Sequence, residues 1–187
     1  MHTEYEVRVL DINKEKLVEQ LEKLGAIKIG DFEYKRRVFN FNPPTNNKWI
    51  RLRTDGTKTT LTIKKLTSLE IDGTKEIEIE VSDFEETNSI LEELGYKAHT
   101  YQQNRRTRYI LNDVELDIDS WPYIPTYLEI EGKNEKSVKD MIKLLGVDES
   151  KITTIDVQGV FLHFYKIDIA KMPIVSFDVP LNKKYLT

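Results

Sequence analysis

An α+β fold built on an antiparallel sheet is what this 187-residue chain predicts, and three observations carry the prediction. About eight segments alternate apolar with ionisable residues at a period of two, the mark of half-buried strands. Turn signals join most of them directly, so neighbouring strands run antiparallel. At intervals, apolar residues recur at helical spacing between a capping residue and a glycine.

The first strand spans roughly Glu4 to Leu10, and its Glu4, Glu6 and Arg8 share one face. Asn13 then caps a helix whose Leu17, Leu21 and Leu24 form its apolar stripe, with Gly25 as the stop. Phe32 to Phe41 reads as a strand, and Asn42-Pro43-Pro44-Thr45-Asn46-Asn47 as a loop. Trp49 to Arg53 alternates again, Asp55-Gly56 turns the chain, and Thr59 to Lys65 returns. Lys75 to Val81 is the purest alternation, with Glu76, Glu78 and Glu80 on one side and Ile77, Ile79 and Val81 on the other. These acids read first as ion-pair partners of the arginines.

Asp83 caps a second helix that ends at Gly95. The strand Gln103 to Leu111 carries Arg106 and Arg108 on one face, and Asn112-Asp113 turns it into Val114 to Asp119, which aligns Glu115, Asp117 and Asp119. Tyr127 to Glu131 repeats the partition with Glu129 and Glu131. Asn134 to Gly146 frames a third helix, and Val157 to Tyr165 reads as a fourth. Residues 166–187 read as a tail or flap with a strand near Val175, and Lys183-Lys184 as its solvated end. With no low-complexity linker, residues 1–187 are expected to form a single domain.

Hydrophobic residues make up 39% and charged residues 32% of the chain, a globular composition rich in ionisable groups. The 28 Lys+Arg against 32 Asp+Glu leave a net charge of -4, which gives no electrostatic reason to expect nucleic acid or anionic membrane as a partner. There are no cysteines, so disulfides and thiolate chemistry are excluded, and a metal must be held by oxygen or imidazole. His2, His99 and His163 show no metal-binding spacing. No apolar run is long enough to span a bilayer and no leader pattern opens the chain, so a cytoplasmic protein is expected.

A sheet with one solvated face would explain any single strand. The strands together use ionisable groups of both signs on their polar faces. Rolled into a barrel with that face inward and helices outside, they would gather the charges in one cavity. Such an interior requires its charges to pair with each other or with ions. The cations Arg8, Arg51, Arg53, Lys64, Arg106 and Arg108 suit a polyanion carrying several phosphates. The carboxylates Glu4, Glu6, Asp117, Asp119, Glu129 and Glu131 suit Mg²⁺ or Mn²⁺. Together they read as a metal–triphosphate site.

Glu4-x-Glu6-x-Arg8 resembles the amino-terminal Glu-x-Glu-x-Lys signature of the CYTH superfamily, which unites class IV adenylyl cyclases, thiamine triphosphatases and other triphosphate tunnel metalloenzymes. The resemblance continues through Arg51-x-Arg53, Lys64, Glu76-x-Glu78, Arg106 to Tyr109, Leu116-Asp117 and Glu129-Ile130-Glu131, and is strongest over residues 1–165. It implies an eight-stranded antiparallel closed barrel, a triphosphate tunnel with a charged interior. By position it makes Glu4, Glu6, Glu129 and Glu131 metal ligands, with Asp117 or Asp119 adding an acidic role. Arg8, Arg51, Arg53, Lys64 and Arg106 become catalytic phosphate contacts, and Arg108 a further phosphate contact. Two positions depart from the pattern: Arg8 stands for the signature lysine, and Asn104 stands where a Lys-x-Arg pair has its first cation.

The resemblance implies a divalent-metal-dependent enzyme acting on triphosphates. It would either cyclise ATP to cyclic AMP and pyrophosphate or hydrolyse thiamine triphosphate, tripolyphosphate or nucleoside triphosphates. Its partner would be a small-molecule triphosphate, with a homodimer as a further expectation. The alternative is a non-catalytic binder of polyphosphate, nucleotide or RNA ends.

Overall fold

A computed structural model describes residues 1–45 and 47–186, apart from the side chain of Lys183. Asn46 of the proline-rich loop and Lys183 of the predicted solvated end thus fall wholly or partly outside the described residues. Eight antiparallel strands close on themselves. They are β1 (His2–Val9), β2 (Ile27–Asn40), β3 (Lys48–Thr54), β4 (Thr59–Leu66), β5 (Thr74–Val81), β6 (Ala98–Leu111), β7 (Val114–Ser120) and β8 (Tyr127–Gly132). Their spatial order is β6-β2-β3-β4-β5-β1-β8-β7, and pairing of β7 back onto β6 completes the barrel. Two short strands are added to it: β9 (Ile152–Thr153) lies against β1 and β10 (Ile174–Val175) runs parallel to β6.

Turn chemistry explains the meander. Asn112 and Asp113 both take positive φ, 52° and 60°, the geometry of a tight hairpin turn that Asn and Asp tolerate. The helices are α1 (Lys14–Lys23), α2 (Phe84–Glu93), α3 (Glu135–Leu145) and α4 (Val157–Tyr165). The first three begin at the predicted caps Asn13, Asp83 and Asn134, whose side chains accept from backbone N–H groups three residues on, satisfying donors the first turn leaves orphaned. Gly25 and Gly95 follow α1 and α2 at φ +78° and +88°, a left-handed conformation in which a side chain would be strained.

The barrel is turned inside out relative to an ordinary β-barrel. Val7, Val9, Leu116, Ile118, Leu128 and Ile130 point outward and are buried against Leu17 and Leu21 of α1 and Val138, Met141 and Leu145 of α3. On the opposite side Phe39, Ile50 and Leu52 pack on Leu91 of α2. Trp121, Ile124 and Tyr127 pack on Val160 and Phe161 of α4 and on Ile169, Met172 and Val175 beyond it, so the tail forms a third apolar cluster.

Two details differ from the sequence pattern. β2 and β6 are each 14 residues long: β2 begins early, where Ile27 and Asp31 continue the ladder against Ile110 and Thr107 through a register shift between Lys28 and Gly30, and β6 begins early, where Ala98 to Gln102 pair with Phe39 to Arg36 through a second shift; a bulge breaks the period of two at each shift. The outward Ile77 and Ile79 of β5 are 46% and 55% exposed. Alternation identifies which face of a strand is apolar, and says nothing about whether a helix reaches it.

Candidate active site

The inward faces of the eight strands enclose a cavity of about 430 Å³, within the size range of small-molecule sites. Strand order sorts its charges. β5, β1, β8 and β7 are neighbours and supply Glu76, Glu4, Glu6, Glu129, Glu131 and Asp119; β6, β2, β3 and β4 supply Arg106, Arg36, Arg51, Arg53 and Lys64. One wall is therefore mainly acidic and the other mainly basic, although residues from both sit scattered along the chain.

Within the acidic wall, register decides which carboxylates meet. Glu6 pairs with Glu131 across β1 and β8, and Asp117 pairs with Glu129 across β7 and β8. Oxygens of Glu6, Glu129 and Glu131 all lie within 4.8 Å of one another. Burial pushes the Glu131 carboxyl up to about 8, and the charges of Glu129, Glu4 and Glu6 add to the effect. A trio of hard oxygen donors, one of them kept protonated by burial and by its neighbouring carboxylates, fits a small divalent metal such as Mg²⁺ or Mn²⁺. Burial also opposes ionisation of Glu129, but Arg8 and Arg106 outweigh it and hold that carboxyl well below the usual range.

The other predicted ligands are differently engaged. Glu4 accepts two 2.8 Å hydrogen bonds from Lys64, and Asp119 takes a bidentate grip from Arg106 at 2.8 and 2.5 Å. Asp117 is wedged between Arg106 and Arg108, accepting from Arg108 at 2.8 and 2.7 Å. Arg106 reaches Glu129 as well, at 3.0 Å, so three buried carboxylates surround one guanidinium. Asp117 lies behind the arginines and does not line the cavity.

The predicted phosphate contacts divide likewise. Arg8 pairs with Glu129 at 2.8 Å and Glu6 at 3.1 Å and donates to the Ile155 carbonyl at 2.8 Å; burial opposes its charge, yet the two carboxylates hold the guanidinium charged far more firmly than usual. Arg51 pairs with Glu78 at 3.2 Å, and Arg53 lies 3.8 Å from the same residue and 4.6 Å over the Tyr34 ring. Burial, then Arg51 and Arg106, lower Arg53 to about 10. Glu76 and Glu78 pair with Lys64 and Arg51, as ion-pair partners of the cations should.

Arg36 was hidden in the sequence. It is buried and faces the cavity beside Arg53, but Lys35-Arg36-Arg37 presents three cations in a row and so no contrast between strand faces. Tyr127 and Trp121 also line the cavity, with the indole Nε1 donating to the Tyr127 hydroxyl at 3.0 Å.

The Glu131 shift sets a pH dependence. Its folded value, about 8, exceeds its ordinary 4.5, so between those limits the folded chain holds a proton the unfolded chain has released. Stability from this group is complete below about pH 4.5 and is lost as pH rises through about 8. The same proton must leave when a metal binds. Titrating MgCl₂ or MnCl₂ into the protein at pH 7 in two buffers of different ionisation enthalpy is expected to report release of about one proton per ion; buffer-independent heats would contradict the carboxylate trio.

Residues 2–154 match the CYTH domain family. A Methanocaldococcus jannaschii protein named as a candidate adenylate cyclase is 27% identical over 158 residues, covering 76% of this chain and 87% of that protein. A solved structure from Pyrococcus horikoshii superposes with a TM-score of 0.74 at 25% identity, covering 84% of this chain and 98% of that one. A Hippeastrum protein, described as a candidate adenylyl cyclase with a dominant triphosphatase activity, shares the fold at a TM-score of 0.57 and 14% identity, over 87% and 94% of the two chains. Among the described residues no helix is long and apolar enough to cross a membrane.

Proposed function

The chain belongs to the CYTH domain family, and from that premise we propose that it is a divalent-metal-dependent enzyme acting on small-molecule triphosphates. One observation carries the reading: a cluster of three carboxylates and a wall of arginines face the same cavity. Arg51, Arg53 and Lys64 would grip phosphate oxygens, the arginines through their planar forks. Glu6, Glu129 and Glu131 would hold Mg²⁺ or Mn²⁺. That ion, when bound, supplies charge neutralisation at the phosphates and Lewis-acid polarisation of the phosphorus under attack. Arg106, enclosed by Asp117, Asp119 and Glu129, would keep Glu129 ionised and aimed at the metal. The named adenylate cyclase and triphosphatase relatives support both cyclisation and hydrolysis as the reaction class.

Arg8 is not the proton acceptor of either reaction, and the leaning toward cyclisation rests on the relative named as a candidate adenylate cyclase. Tied to two carboxylates and a carbonyl, Arg8 keeps its proton and cannot accept one from an attacking water. In cyclisation the ribose 3′-hydroxyl oxygen of ATP bonds to the α-phosphorus as pyrophosphate departs, and its proton passes to solvent water, because Arg8 cannot take it there either. Incubating the protein with ATP, thiamine triphosphate and tripolyphosphate plus Mg²⁺ or Mn²⁺, and resolving the products, tests this. Cyclic AMP with equimolar pyrophosphate is the expected result. Orthophosphate from any of them would establish hydrolysis in its place, and binding without turnover would reduce the site to a non-catalytic receptor.

A further inference from the structure

One residue of the basic wall is explained neither by ion pairing nor by the carboxylate trio. Arg36 is buried, lines the cavity and stands directly opposite Arg53 in the β2–β3 ladder. Like charges facing each other across strands destabilise a sheet. Arg8, Arg51, Arg53, Arg106 and Arg108 each have a carboxylate partner. Among the described residues Arg36 has no ion pair, and its Nε is buried with no hydrogen-bond partner. A buried cation without a counter-charge is heavily penalised, so the arrangement is complete only with an anion in the cavity.

The surroundings of Arg36 hold it in place without neutralising it. Its guanidinium donates to Asn104 Oδ1 and lies 4.6 Å from the Trp121 ring centroid. Asn104 in turn donates through Nδ2 to Asp119 at 3.1 Å, which fixes the amide with its oxygen toward Arg36. Trp121 is tethered by its Nε1 bond to Tyr127 and packs edge-on against Phe161. A neutral amide and an aromatic face thus orient the charge and leave it available.

Resting on the triphosphate reading of this cavity, we propose that Arg36 and Arg53 form a phosphoryl-binding pair. Asn104 is its positioning residue, and Arg36 delivers from β2 the cation that position 104 on β6 lacks. The pair binds a phosphoryl group of the triphosphate by charge-assisted hydrogen bonds from two guanidinium forks on adjacent strands. Because Arg36 and Asn104 touch, a cation placed at 104 reaches the same spot.

Calorimetric titration of sodium tripolyphosphate into the full chain tests the pair. Arg36→Gln is expected to weaken binding roughly 10- to 100-fold. Its melting temperature without ligand should equal or exceed that of the parent, because an uncompensated buried charge is removed, and its Mn²⁺ affinity without polyphosphate should be unchanged. Adding Asn104→Lys to Arg36→Gln should restore binding to within a few-fold, a rescue that a merely structural role for Arg36 would not produce. Unchanged tripolyphosphate affinity in Arg36→Gln overturns the proposal while leaving the triphosphate reading intact. Failure of the parent protein to bind tripolyphosphate or ATP at all removes both. Should Arg36→Gln not fold, Asn104→Asp decides: a carboxylate there neutralises Arg36 in place, and undiminished binding would refute the pair.

Discussion

Arg106→Met is expected to lower the unfolding free energy by about 3–5 kcal/mol. The guanidinium is buried and bonded to Asp117, Asp119 and Glu129. Methionine fills much of the same volume, so packing loss contributes little. What the change leaves behind is three buried carboxylates without their common counter-charge: Glu129 keeps Arg8 and Asp117 keeps Arg108, while among the described residues Asp119 keeps no ion pair. Denaturant unfolding of the variant beside Arg105→Met provides the control, since Arg105 pairs with Glu33 at the surface with both side chains more than half exposed and such pairs contribute under about 1 kcal/mol. Adding Asp119→Asn to Arg106→Met should recover part of the loss, because it removes one of the stranded charges. If Arg106→Met lost no more than Arg105→Met, the cluster would not be holding the barrel together as its geometry requires.

That cluster also shows how far the sequence could be read. The period of two identified the inward face of nearly every strand, and so named all six carboxylates and all six cations of the original set except for their partners. Glu4, Glu6, Asp117, Asp119, Glu129 and Glu131 look alike as alternating acids. Which of them cluster and which neutralise arginines depends on barrel register: Glu6 falls opposite Glu131, while Asp119 falls opposite Arg106. Register between strands far apart in sequence is set by closure of the whole sheet, and no local pattern encodes it. Arg36 escaped for a different reason, the uniform charge of its neighbours. Exposure of Ile77 and Ile79 escaped because helix placement is a matter of packing. The motifs were legible where chemistry repeats along one strand, and illegible where it arises between strands.

The division between acidic and basic walls has an energetic consequence. Separated charges of opposite sign would neutralise each other if the barrel collapsed, yet Lys64, Arg51 and Arg106 each bond to acids and Glu6 and Glu129 to Arg8, while among the described residues Arg36 and Glu131 have no ion pair. The protein therefore keeps a positive surplus at Arg36 and, once Glu131 gives up its proton, a negative surplus at the carboxylate trio apart in a single cavity. A triphosphate with its metal carries the complementary pair, anion toward the arginines and cation toward the carboxylates, and binding would satisfy both.

Glu131→Gln tests the negative surplus and should move stability and activity in opposite directions. The amide keeps the shape of the side chain and removes one charge from a trio crowded by Glu129, Glu4 and Glu6. Metal-dependent turnover of a triphosphate is expected to fall on the order of 100-fold or more, as one donor to the ion is lost. In EDTA the same variant should be more stable than the parent at pH 9, by on the order of a few kcal/mol. The gain follows the parent's titration: absent below about pH 4.5, where Glu131 is protonated whether folded or not, growing as pH rises toward about 8, and level above it. Added Mg²⁺ should stabilise the parent by mass action and the variant far less, so their melting temperatures converge or cross as the ion is titrated in. A variant that turns over substrate at the parental rate, or whose stability in EDTA shows no pH-dependent gain, would show that Glu131 neither holds the metal nor carries the surplus charge. The opposed outcome is the signature of a site that sacrifices stability of the empty barrel for affinity toward a cation.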